Sequence, residues 1–498
     1  MTFHQAPKTF GLCTHDALTY LPSPHAREIG YKQPSEQVRL KAAKPVSSSI
    51  SKPKVVKKEI PVPSTRQDVR HFPTPLILPN DDLAQDPEYP AQSYQEWYEE
   101  EERNPVTARR RTVYIVAPPG VDRGVGEVES WAVPITLRQE RAQVKGKKKG
   151  RGFGDRDDDV GDEVQPKIED VRDYLAAFFR GLPVKVLDMP KEHWKFSPWE
   201  DDDDEEENKP PSPRKQKQKQ TSRAALKNRK AKSTYLSLST GTEAIRIRAR
   251  RSSPNGGDPA IYSHQLNLND LLDVAIEILP SDAYALCMLV HHDLYEDDED
   301  LFVCGRAYGG SRIAVVSTAR YRPSLDGAQG VEVPHAWPRS HCVSYIEGLC
   351  NGTGGKDGKK GRVIDSEPVL NQDTPSSTTM TTLPPLEAAL SASLHQKGST
   401  LWLSRTLRTT SHELSHCFGL DHCVYYACIM QGSASLAEDA RQPPYLCPVD
   451  LAKVLSATGS SVRERDEALL EFCEREDLRG KGEFSAWAGW LRASLRVE

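Results

Sequence analysis

Histidine, glutamate and glycine recur at fixed intervals in His412-Glu413-Leu414-Ser415-His416-Cys417-Phe418-Gly419-Leu420-Asp421-His422, which constrains this chain more than any other stretch of its 498 residues. The run reads HExxHxxGxxH at all five fixed positions. Residues four apart share one face of a helix, so His412 and His416 can turn ring nitrogens toward one point while Glu413 projects beside it. Gly419 can adopt the left-handed conformation that stops a helix and turns the chain, returning His422 as a third ring. Three protein ligands on zinc leave one position for water, the arrangement of a catalytic rather than a structural ion. With 14 His and 32 Gly in the chain, the five positions coincide by chance in roughly one such chain in twenty thousand. Leu407, Leu414 and Phe418, with Trp402 and Leu403 upstream, supply an apolar face, so the spacing predicts one long helix from Leu401 to Phe418.

Thiols follow at short spacing: Cys423, Cys428 and Cys447, with Asp450 three residues further on. The N-terminus lacks an apolar core with a cleavage site, so the ten cysteines are expected to be reduced and to read as metal ligands before disulfides. The run through Cys423, Cys428, Met430, Gly432 and Cys447-Pro448-Val449-Asp450 resembles the archaemetzincin family. That family's pattern continues the histidines with one cysteine, a second five residues later, a methionine two beyond it, and a distal CxxC. Asp293-Leu294-Tyr295, Phe302-Val303-Cys304-Gly305, Ala314-Val315-Val316-Ser317 and, more faintly, Ala177 to Leu182 also look like that family.

The resemblance implies a metzincin-like zincin fold of the α/β class, a mixed sheet packed on the active-site helix above an irregular lower subdomain. It implies a zinc-dependent metallopeptidase in which His412, His416 and His422 hold the catalytic zinc and Met430 occupies the tight turn beneath it. Glu413 would be the general base, and Cys423, Cys428 and Cys447 would hold a second, structural zinc. The chain departs from the family where Asp450 replaces the last cysteine. A carboxylate can ligate zinc, although closed structural sites usually take four sulfur or nitrogen donors. Three completions stay open: Asp450, a distant thiol such as Cys473, or a degenerate and empty site. Cys417 reads as a small buried hydrophobe. Gly432 stands where some metzincins carry a tyrosine, so no oxyanion stabiliser is identified.

Mean hydropathy is −0.61 and the polar excess comes in blocks. Residues 1–105 are expected to be largely disordered. Residues 106–458 are expected to form the catalytic domain, with inserts near 145–165, 196–232 and 351–382, and residues 459–498 a helical tail. Asp201 to Glu207 is seven consecutive acids, and Arg214 to Lys232 holds nine Lys or Arg with no acid. Few aromatics interleave with those charges, which argues against nucleic acid as a partner. No stretch approaches eighteen consecutive apolar residues, so no membrane span is expected. The protein is expected to be intracellular, cytoplasmic or nuclear, with a peptide or protein substrate. The runner-up reading is a non-catalytic, zinc-stabilised interaction protein.

Periodicity places strands at Thr112–Val116, Pro183–Leu187 and Tyr284–Val290, and a hairpin of Leu301–Ala307 with Ile313–Thr318 joined through Gly309-Gly310. Helices are expected over Asp170–Arg180 and Leu266–Leu279, with two more in the tail. His291 and His292, at a strand end, read as exposed polar residues.

Overall fold

The apolar run Ala283–Val290 forms the central strand of a five-stranded sheet and is buried at every residue, because the sheet is covered on both faces. The computed structural model describes residues 17–44, 72–139, 163–199, 234–252, 260–352, 384–393 and 400–497. The Lys145–Arg151, Asp201–Glu207 and Arg214–Lys232 blocks and the insert over 353–380 lie outside the described residues.

In chain order the strands are β1 (Thr112–Val116), β2 (Gly120–Val121), β3 (Val184–Val186), β4 (Lys195–Pro198), β5 (Thr234–Ser239), β6 (Ala244–Arg251), β7 (His264–Asn267), β8 (Ala283–Val290), β9 (Leu294–Tyr295), β10 (Gly305–Tyr308) and β11 (Ile313–Ser317). The principal helices are α1 (Tyr94–Glu99), α2 (Ile168–Phe178), α3 (Leu268–Glu277), α4 (Leu401–Cys417), α5 (Pro448–Thr458), α6 (Val462–Cys473) and α7 (Gly482–Val497). The first sheet has the order β10-β11-β8-β1-β3. Its strands are parallel except β10, which pairs antiparallel with β11 at one edge.

Side chains alternate across this sheet, as strand geometry requires. Cys287, Leu289, Ala314 and Val316 join one core with α2, α4, α5, α6 and α7. Leu286, Met288, Val290, Ile313 and Val315 join another with α3 and a second sheet, ordered β2-β4-β5-β6-β7-β9. Helix α4 is therefore held against the sheet on the face opposite the second sheet. The architecture is mixed α/β.

Several elements differ from the sequence expectation. Helix α3 starts at Leu268, because His264–Asn267 is strand β7 and the Asn267 side chain caps the helix by accepting from Asp270 N at 3.2 Å. The hairpin strand before Gly309 begins only at Gly305. Residues 196–198 belong to β4 rather than to an insert. Strands β5 and β6 were not anticipated, although Leu236 and Leu238, and then Ile247 and Ala249, alternate with polar residues around a Thr240-Gly241 turn.

The expectation of a largely disordered segment over 1–105 needs correction. Residues 17–44 and 72–105 pack on the body, with Ile77, Tyr94 and Trp97 buried and Trp97 Nε1 donating to Phe418 O at 2.8 Å. Polar composition concealed this, because the segment inserts a few large anchors into an existing core rather than building its own. The tail likewise packs into the core of α4 through Phe472, Phe484, Trp487 and Trp490. The region after Gly419 is irregular only to Ser435; Leu436–Arg441 and α5 follow. Among the described residues no helix is long and apolar enough to cross a membrane.

Candidate metal centre

Helix α4 runs almost wholly buried, and its polar residues are satisfied locally. Thr406, Thr410 and Ser415 hydroxyls donate to the carbonyls four residues back, and Arg405 pairs with Asp326. The helix ends at Phe418, and Gly419 takes φ +80°, the left-handed turn that the motif requires. Its N–H donates to His416 O at 2.9 Å.

The three histidines meet beyond that turn. His412 Nδ1–H donates to Ile429 O at 2.7 Å and His416 Nδ1–H to Leu420 O at 2.6 Å, which leaves each Nε2 as a lone-pair donor. Those Nε2 atoms lie 3.0 Å apart, and one ring nitrogen of each of the three histidines falls within 4.8 Å of the others. Facing lone pairs repel unless a cation lies between them. Two nitrogens each about 2.0–2.1 Å from one tetrahedral ion would stand a little over 3 Å apart, so the donor set fits zinc. Burial, then the neighbouring histidines, pushes His412 and His416 down to about 3 and His422 to about 4. The rings are thus neutral at pH 7, the form that binds metal.

Glu413, next in sequence to His412, packs against the edge strand. A Cβ at Gly305 of β10 would lie 3.2 Å from Glu413 Cγ, and one at Gly309 would lie 2.7 Å from His416 O, so two glycines let the strand approach α4 closely. Burial pushes the Glu413 carboxyl up to about 8, opposed by the charge of Arg306.

The thiols form a second group. Cys423 Sγ and Cys447 Sγ are 3.5 Å apart, and Asp450 Oδ2 lies 3.4 Å from Cys428 Sγ and 3.3 Å from Cys447 Sγ. All four donors fall within 4.8 Å of one another, and all four residues are buried. Burial opposes charge at Cys423, yet the Cys428 and Cys447 thiols and two backbone N–H groups donate to it and favour its thiolate. Asp450 is therefore the residue that joins the three cysteines, while Cys473 is buried elsewhere, in the core with Phe472 and Phe484. Met430 is fully buried between the clusters, and its carbonyl accepts from Cys423 N at 2.7 Å. Cys417 is a buried core thiol, as expected.

His291 and His292 belong to neither group, and the expectation that they are exposed is incorrect. His292 is 5% exposed and bonds Val128 O at 3.0 Å, and His291 Nδ1 meets Thr318 Oγ1 at 2.9 Å. His292 is a satisfied polar group of the interior, and His291 is half-buried and satisfied.

Two residues that the sequence reading missed line the cavity beside His422: Asp82 and Tyr89. The Tyr89 ring centroid is 5.9 Å from that of His422. Neither carries a local signal, since both come from a segment more than 300 residues upstream that reads as disordered.

Residues 387–454 match the model of peptidase family M54. The chain is 29% identical over 251 residues to archaemetzincin-2 of Macaca fascicularis, covering 47% of this chain and 58% of that protein. It is 25% identical over 215 residues to archaemetzincin-1 of Homo sapiens, covering 42% and 34%. The chain thus spans about half the length, or less, of the curated relatives it matches. A crystal structure of archaemetzincin from Methanopyrus kandleri aligns with 70% of this chain and 98% of its own at 15% identity, with a TM-score of 0.26. The M54 segment and the similarity to both mammalian archaemetzincins agree on one likeness: the chain is similar to the archaemetzincin family.

Proposed function

We propose that the protein is a zinc-dependent metallopeptidase of metzincin-like build, acting on peptide or protein substrates, with the sheet above and the Met430 turn below a cleft at His412, His416 and His422. The observation that carries this reading is the convergence of three neutral imidazoles on one point, with Glu413 next in sequence to the first of them. Zinc held there supplies Lewis acidity toward a carbonyl and a bound water that loses its proton near neutral pH. His412 and His416 are oriented by the Ile429 and Leu420 carbonyls, so little ring freedom remains to be lost on binding.

Glu413 is the general base in this reading. It takes a proton at its carboxylate and returns it to the leaving amine. Its raised pKa suits the return step, and the charge of a bound cation favours the ionised form needed for the first. Cys423, Cys428, Cys447 and Asp450 hold a second, structural zinc that fixes the chain next to His422.

A second reading, a zinc-stabilised interaction protein without hydrolytic activity, draws on one observation. The cavity that Leu83 and Tyr89 line together with His422 is only about 10 Å³. Elemental analysis of the purified protein and its His416→Ala and Cys428→Ala variants, followed by a peptide-library assay, separates the readings. Two zinc ions per chain, one lost in each variant, with cleavage that disappears in His416→Ala, is the expected result. Zinc without cleavage favours the second reading, and no zinc in any preparation overturns both.

A further inference from the structure

Lys453 carries its ammonium at 1% side-chain exposure, one turn along α5 from Asp450. Its Nζ donates to Asp450 Oδ1 at 2.9 Å, to Gln92 Oε1 at 2.8 Å and to the Gln92 backbone carbonyl at 2.8 Å. All three ammonium protons therefore have acceptors, without which a buried ammonium is strongly disfavoured. Asp450 presents its other oxygen to Cys428 and Cys447, so one carboxylate touches both the thiol cluster and Lys453.

Gln92 extends the connection to the other cluster. Its Nε2–H donates to Gly419 O at 3.0 Å, and its Oε1 accepts from Asp421 N at 3.2 Å. The amide sits only one way round, because the flipped form would set its NH2 against Lys453 and the Asp421 N–H, and its oxygen against the Gly419 carbonyl. Gly419 and Asp421 are the turn that carries the chain from α4 to His422.

We propose that Lys453 and Gln92 are positioning residues that couple the two clusters, so that the Cys423/Cys428/Cys447/Asp450 group, through Asp450, Lys453 and Gln92, holds the Gly419–Asp421 turn and thereby the ring of His422. This rests on the reading of His422 as a metal ligand. Electrostatics argues that lysine is needed here rather than an apolar side chain of similar length. Three thiolates and a carboxylate outweigh the charge of a divalent ion, and the ammonium offsets part of the excess in a site that water does not reach. The polar route supplements the covalent His422–Cys423 link, and it reaches the turn through Gly419 O and Asp421 N.

Full-length protein with cobalt(II) in place of zinc reports the two sites separately, since thiolate ligation gives charge-transfer absorption that the histidine site lacks. Metal affinity at each site, by chelator competition, and amide hydrogen exchange over residues 419–423 are measured for wild type, Gln92→Met and Gln92→Glu. Gln92→Met is expected to weaken the histidine site by about 10- to 100-fold while the thiol site keeps its metal. Exchange at Asp421 should quicken with it. Gln92→Glu keeps an acceptor for Lys453 but loses the donor to Gly419 O, and an intermediate loss is expected. Lys453→Met removes a buried charge and can unfold the chain, so the Gln92 pair carries the test. Wild-type affinity and exchange in both Gln92 variants overturn the coupling alone. Undiminished metal in His416→Ala overturns the assignment of the histidine site, and the coupling with it.

Discussion

The carboxylate of Asp82 fills the space that a side chain at Gly432 would occupy: a Cβ there would overlap Asp82 Oδ2 and lie 2.9 Å from His422 Nδ1. Residue 432 is two beyond Met430, so its missing side chain admits a carboxylate from the N-terminal segment to the edge of the histidine cluster. That segment is fastened there by the Asp81–Arg441 ion pair and by Asp82 N donating to Glu438 at 2.9 Å.

Gly432→Ala is therefore expected to push Asp82 out and loosen the residues around it, at about 1–3 kcal/mol as an overpacking cost. The urea midpoint should fall at unchanged slope. Asp82→Ala in the same chain should recover most of the loss. A double variant as unstable as Gly432→Ala alone would show that this contact is not the cause.

Glu413→Gln keeps the shape of the side chain but removes its capacity to take a proton. Zinc content is expected to stay at the wild-type level while peptide hydrolysis drops by about 10²- to 10⁴-fold. A variant that retains wild-type turnover would remove Glu413 from the mechanism.

Asp450→Ala should release the second zinc and also strand the Lys453 ammonium in the interior. Breaking such a buried pair costs about 3–5 kcal/mol, so a lower thermal midpoint should accompany the loss of one zinc by elemental analysis. Asp450→Cys, which restores a fourth thiolate, is expected to keep the metal. Full zinc content in Asp450→Ala would exclude the carboxylate as a ligand.

Two buried histidines outside the His412/His416/His422 group contribute to an acid limit on stability. Burial holds His292 and His341 down at about 4, whereas the unfolded side chains titrate near 6.5. Between those values only the unfolded chain takes up the proton, so stability is complete above about pH 6.5 and declines as pH falls toward 4. The loss approaches about 3 kcal/mol for each histidine at the lower end. Urea midpoints at pH 7 and pH 4.5 on metal-free protein test this; His291 and the three clustered histidines, lowered by burial as well, add to the decline, and His292→Gln should shrink the difference by its own share. An unchanged midpoint across the window would contradict it.

The spacing from His412 to His422 determined the helix, its stop at Gly419 and the meeting of three imidazoles, because helix geometry pairs His412 with His416 and a left-handed glycine turn brings His422 back to them. The apolar run Tyr284–Val290 likewise determined a buried strand, and the sheet order made it the central one. The choice of Asp450 over Cys473 as fourth member of the thiol group was decided only by the tertiary structure, since both residues were compatible with the spacing. So were the packed N-terminal segment, the interior placement of His292, and the approach of Asp82 to His422. Gln92 meets Gly419 across 327 residues. Hydrogen bonds over such separations leave no period or motif in the chain, because they depend on where separate elements dock rather than on how any one of them winds.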